Sequence, residues 1–148
     1  MFWGCSGLNS WNGNVALPNS LTDTSNMFWG CSGLNSWNVA LPNSIRYANG
    51  MFSGCSNLTS FASDMPSSLS SDAYEMFSGC KLDIESVERI SRTIAVCTGS
   101  GEGVIIHLGV STECHEDSNY NTYIDRMIDK GWIVVCDVNG SEHTHPHS

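Results

Sequence analysis

Histidine, cysteine and carboxylate side chains gather between positions 107 and 117: His107, Glu113, Cys114, His115, Glu116 and Asp117. A thiol beside an imidazole suggests a metal centre or a cysteine nucleophile. Neither is expected, because the order fits no zinc-ligand spacing and sequence neighbours do not make the spatial pair that thiol activation needs. His143, His145 and His147 alternate near the end of the chain. Alternate imidazoles can take a transition metal weakly, but a polar terminal tail is expected to be disordered. The glycine-rich stretch Gly99 to Gly103 lacks the Lys-Ser or Lys-Thr ending of a phosphate loop. The reading is therefore non-enzymatic, with no catalytic residue, metal or cofactor.

Other side chains suit recognition instead. Trp3 and Trp29 share the third position of a repeated motif, and two such rings one repeat apart offer a flat apolar strip for a sugar ring or a partner's side chain. Ser10, Asn12, Ser36, Asn38 and Ser60 fall beside predicted strand positions, where hydroxyls and amides can donate and accept hydrogen bonds.

What must position these residues is a repeat. Met-Phe-x-Gly-Cys occurs at Met1, Met27, Met51 and Met76, with starts 26, 24 and 25 residues apart. A unit of this length cannot bury its own apolar residues, so it must stack on like neighbours, which predicts an α/β solenoid with short parallel strands. Within each unit, Met, Phe and Cys at i, i+1 and i+4 share one side of a helical turn. Leu8 to Trp11, Leu34 to Trp37 and Leu58 to Phe61 then read as short strands with the aromatic turned inward, and Pro18, Pro42 and Pro66 end them. Cys5, Cys31, Cys55 and Cys80 hold one repeat position and are expected as a buried ladder of free thiols. Cys97, Cys114 and Cys136 stand outside it, with one disulfide among them left open.

The four-fold Met-Phe-x-Gly-Cys motif, followed by Leu at the eighth position in three copies, resembles the BspA-type leucine-rich repeat proteins over residues 1–80. Asp23-Thr24-Ser25 echoes the family's turn once, and Leu-Pro-x-Ser replaces it elsewhere. The resemblance implies a right-handed, leucine-rich-repeat-like stack and a surface or secreted binding role, with no catalytic residue.

After Cys80 the pattern changes. Asp83 can cap a helix carrying Ile84, Val87, Ile90, Ile94 and Cys97 on one face, stopped at Gly99 to Gly101. Val104, Ile106, Leu108 and Val110 alternate as a strand does; a second helix is expected from Ser118 to Lys130 and a last strand from Trp132 to Val138. The predicted organisation is repeats over 1–80, a helix-strand-helix-strand cap over 81–138, and a disordered histidine-rich tail over 139–148.

Composition limits the partners. The 148 residues are 41% hydrophobic and only 14% charged, with a net charge of −9. Up to Cys80 there is one basic side chain, Arg46, against Asp23, Asp64, Asp72 and Glu75. No basic stripe exists to neutralise phosphates, so nucleic acid is not an expected partner, and the acidic balance opposes anionic lipid. No apolar run is long enough to span a bilayer, and no basic start precedes an apolar stretch as in a secretory leader. Met1 reads as a repeat residue rather than an initiator, so the chain is expected to begin inside a longer protein. The sequence as a whole predicts an extracellular, cell-surface or virion-surface module that binds a protein or glycan through a polar face. The alternative is a fibre subunit that self-associates head-to-tail through its uncapped first repeat.

Overall fold

Proline sets the phase of the N-terminal half. In the computed structural model, which describes Gly7 and residues 16–145, each Leu/Met-Pro segment opens a four-residue turn that starts at the proline. The Pro18, Pro42 and Pro66 carbonyls accept from Leu21, Ile45 and Leu69 N–H at 3.1, 3.2 and 3.1 Å. The Met-Phe-x-Gly-Cys segments at Met27 and Met51 are tight turns too, Cys31 N–H donating to the Phe28 carbonyl and Cys55 N–H to Phe52, each at 3.1 Å.

These turns stack through their backbones. Phe28 and Gly30 donate to the Met51 and Ser53 carbonyls at 2.9 and 2.8 Å; Phe52 and Gly54 donate to Met76 and Ser78, both at 2.8 Å. The same register brings the phenylalanines face to face. Phe28 and Phe52 lie 5.6 Å apart at 7°, and Phe52 and Phe77 lie 5.6 Å apart at 10°. Trp37 and Phe61 meet this column edge-on or tilted, so the rings combine stacked and T-shaped contacts. Cysteine recurs because its thiol fits between turns and has an acceptor there. Cys55 Sγ donates to the Phe28 carbonyl at 3.2 Å and Cys80 Sγ to Phe52 at 3.3 Å. Cys31, Cys55 and Cys80 are buried, as expected of the ladder; Cys55, Cys80, Cys97, Cys114 and Cys136 are free thiols, and Cys5 lies outside the described residues. Glycine is favoured at Gly54 because φ is +77°, a conformation that other side chains rarely adopt.

Two strands follow the turns: β1 (Ser36–Trp37) and β2 (Ser60–Phe61), paired in parallel. Among the described residues no third strand continues this pair. The Phe61 N–H donates to Ser86 Oγ at 2.8 Å, in the first turn of helix α1 (Ile84–Thr93). Asp83 caps α1 as its position predicts, accepting from Ser86 N–H at 2.9 Å.

The fourth motif behaves differently from its copies. Met76 to Cys80 lies within a ten-residue strand, β3 (Ala73–Leu82), which pairs in parallel with β4 (Ile105–Val110). After β4 come the short helix α2 (Thr112–Glu116), α3 (Tyr120–Asp129), β5 (Ile133–Val138), parallel to β4, and β6 (Ser141–His145), antiparallel to β5. The sheet order is β3-β4-β5-β6. Gly109 permits the closest approach in this sheet, since a Cβ there would sit 2.4 Å from the Cys80 backbone.

The architecture corrects the expected α/β solenoid, the leucine-rich-repeat-like right-handed stack with a helix-strand-helix-strand cap. Among the described residues the strands divide into a two-stranded parallel sheet and a separate four-stranded mixed sheet, with three α-helices, and no single ladder runs through them. Two causes are visible. The place after β2 is taken by α1, and the fourth motif, which still accepts from the Phe52 and Gly54 N–H groups on one side, pairs on its other side with β4 in an irregular register. The boundary expected at residue 80 consequently falls inside β3. The tail expected to be disordered carries β6 over Ser141–His145.

One apolar cluster nevertheless extends from Leu17 to Cys136, crossing both sheets and the inner faces of α1 and α3. Helix α1 contributes Val87 and Ile90; α3 contributes Ile124, Met127 and Ile128. Lys130, just past α3, donates to the Ser91, Arg92 and Ile94 carbonyls at 2.9, 3.1 and 2.8 Å, satisfying the open end of α1.

Candidate functional site

Beside the ends of β1 and β2 the chain forms an open groove of about 370 Å³. Asn38, the residue after β1, and Ala62, the residue after β2, line it with Asn43, Ser63, Asp64 and Arg89, and Ala40 and Leu41 add an apolar part. The local sequence explains the arrangement. Trp37 and Phe61 are buried, so strand alternation turns Asn38 and Ala62 to the surface. Arg89 comes from α1, and its Nη1 donates to Asp64 Oδ1 at 3.0 Å across an interval of 25 residues, one repeat length. The pair is largely exposed and adds little to stability, but it holds a cation and an anion at the groove's edge. Ser63 Oγ is turned inward, accepting from Leu41 N–H at 3.2 Å. The groove thus offers amide, carboxylate and guanidinium groups together, able to donate to and accept from a polar ligand.

The residues expected to bind are only partly gathered here. Asn38 lines the groove; Ser36 and Ser60 lie just before it, half-buried and paired across β1 and β2. Trp29 is 46% exposed on its turn but is not among the groove's residues. Its repeat equivalent Ser53 is 7% exposed, so the third motif position does not point outward in every copy. Trp3, Ser10 and Asn12 lie outside the described residues, as does the first-repeat face proposed for self-association. Asn43, Asp64 and Arg89 were not singled out by sequence reasoning, although the repeat period itself relates Asp64 to Arg89.

Comparison with family models, curated proteins and solved structures finds no match for this chain. The site's chemistry has to be read from its own side chains.

A second cluster forms at the far edge of the four-stranded sheet. The register of β5 and β6 sets Cys136 opposite His143 and Val134 opposite His145, which places Cys136, His143 and His145 on one face. Cys136 Sγ and one ring nitrogen from each histidine all lie within 4.8 Å of one another. Helices α2 and α3 close over them. The His115 ring stands 5.4 Å from His143 and 5.1 Å from Tyr120, and Tyr120 is 6.0 Å from His145. Burial pushes the Cys136 thiol up to about 12 and lowers His145, with His143 and His115 adding to the latter.

The residues that suggested thiol chemistry separate. His107 is on the opposite face of the sheet from Cys136, its Nε2 3.0 Å from Asp137 Oδ2, while Asp137 also accepts from Gly79 N–H at 3.0 Å. This buried pair ties β3, β4 and β5 together. Cys114 is buried, and desolvation holds its thiol up at about 12, opposite to the direction a nucleophile needs.

Proposed function

We propose that the protein is a non-enzymatic binding or adhesion module whose ligand, a protein or glycan at an extracellular, cell or virion surface, is held in the groove of Asn38, Asn43, Asp64 and Arg89. The observation that carries this reading is the convergence of neutral amides with an exposed Asp64–Arg89 pair beside the strand ends. Such a rim specifies orientation and register more than it supplies affinity. The Met-Phe-x-Gly-Cys resemblance to BspA-type surface proteins supports the same role. Net charge −9 opposes a phosphate-rich partner. No described helix is long and apolar enough to cross a membrane.

The test is binding of the full chain to immobilised glycans and cell-surface proteins, repeated with Asn38→Ala and Arg89→Ala. Each variant should bind roughly tenfold or more weakly, the loss expected of a residue worth over about 1.4 kcal/mol. Undiminished binding by both variants would move the site elsewhere.

A further inference from the structure

We propose that Cys136, His143 and His145 form a binding site for a thiophilic divalent cation of the zinc class, which staples β6 to β5. One thiolate and two imidazoles are the ligand types that such a cation selects over magnesium or calcium, whose ligands are oxygens. The backbone already supplies most of the geometry. Cys136 and His143 are direct cross-strand partners, and His145 is two residues further along the same face of β6, so the three donors converge within 4.8 Å. Bonds of roughly 2.0–2.3 Å to a shared ion need donors somewhat closer than that limit, a contraction that side-chain torsions provide.

An independent observation points to the same place. Among the described residues, the buried His145 Nε2 has no hydrogen-bond partner. It belongs to this cluster, and buried polar atoms are ordinarily satisfied. A cation held by His145 removes this orphan directly. The fourth position falls to His115, whose ring faces His143, or to water. Binding replaces the thiol proton, which is released to solvent, so no redox step is involved.

The experiment titrates the full-length, metal-free protein with Zn2+ and, for spectroscopy, Co2+ alone. Expected are one equivalent of tight binding, a cobalt–thiolate charge-transfer band, and a rise in Tm. Cys136→Ser should abolish the band. His143→Ala and His145→Ala, on the edge strand where folding is least at risk, should each weaken binding by at least the roughly 10- to 100-fold that even an outer-shell partner is worth. His107→Ala, on the opposite face, should leave binding unchanged. Absence of the charge-transfer band in the wild-type protein would overturn the site. So would Zn2+ affinity that survives both His143→Ala and His145→Ala. None of these readouts depends on the groove, so the binding role and the cation site fail independently.

Discussion

Phe52 sits between two rings of the turn column, stacked on Phe28 and Phe77 and met at its edge by Trp37 and Phe61. Phe52→Ala should therefore cost about 3–5 kcal/mol in denaturant unfolding, the range for a buried aromatic that leaves a cavity. The thiol ladder gives a pH prediction. Burial, reinforced by neighbouring Cys31, raises Cys55 from 9.0 to about 12, so the folded state keeps a proton that the unfolded chain releases above pH 9. That contribution is fully present below pH 9 and is lost as pH rises toward 12. The urea midpoint should be flat on this account up to pH 9 and fall above it, and Cys55→Ala should lessen the alkaline slope. Much of this scale was legible: equal phase in a repeat gives Phe28, Phe52 and Phe77, or Cys31, Cys55 and Cys80, equal surroundings. The cation cluster was not legible, because Cys136 meets His143 and His145 only through a strand register that spacing alone does not specify.

The elements are held by a few polar contacts that replace the missing continuity of the strands. Asp83 caps α1 and also accepts from Ser86 Oγ, whose oxygen in turn receives the Phe61 N–H. Asp83→Ala should cost about 1–2 kcal/mol, at the upper part of the range for an N-cap, because a buried link to β2 loosens with it. Gly109→Ala should cost about 1–3 kcal/mol or more, since the new Cβ would overlap the Cys80 backbone; thermal unfolding measures both. Helices α1 and α3 and strands β4 and β5 were readable from caps and periodicity. The short α2 and β6 were not, nor was β3. Polar Ser141–His145 has no apolar alternation of its own and owes its strand to pairing with β5, while Met76–Cys80 keeps the left-handed glycine of its copies, Gly79 at φ +76°, and joins the sheet through an irregular register with β4. Tertiary pairing overrode local pattern at β6.

At the scale of the molecule, stacked turns, a small parallel sheet and a mixed sheet share one buried cluster, and the polar groove lies where turns, strands and α1 meet. A period of 24 to 26 residues correctly announced that like motifs would touch, yet it implied that one geometry would persist along the chain. Helix α1 and the long strand β3 end that regularity. One shared cluster predicts a single cooperative unit in which backbone bonds between turns are as well protected as those between β4 and β5. Native-state hydrogen exchange resolves this most directly. The amides of Phe28, Gly30, Phe52 and Gly54, which donate from one turn to the next, should open with the same free energy as the amides of β4 and β5. Exchange of those four amides orders of magnitude faster than the β4 and β5 amides would contradict the account.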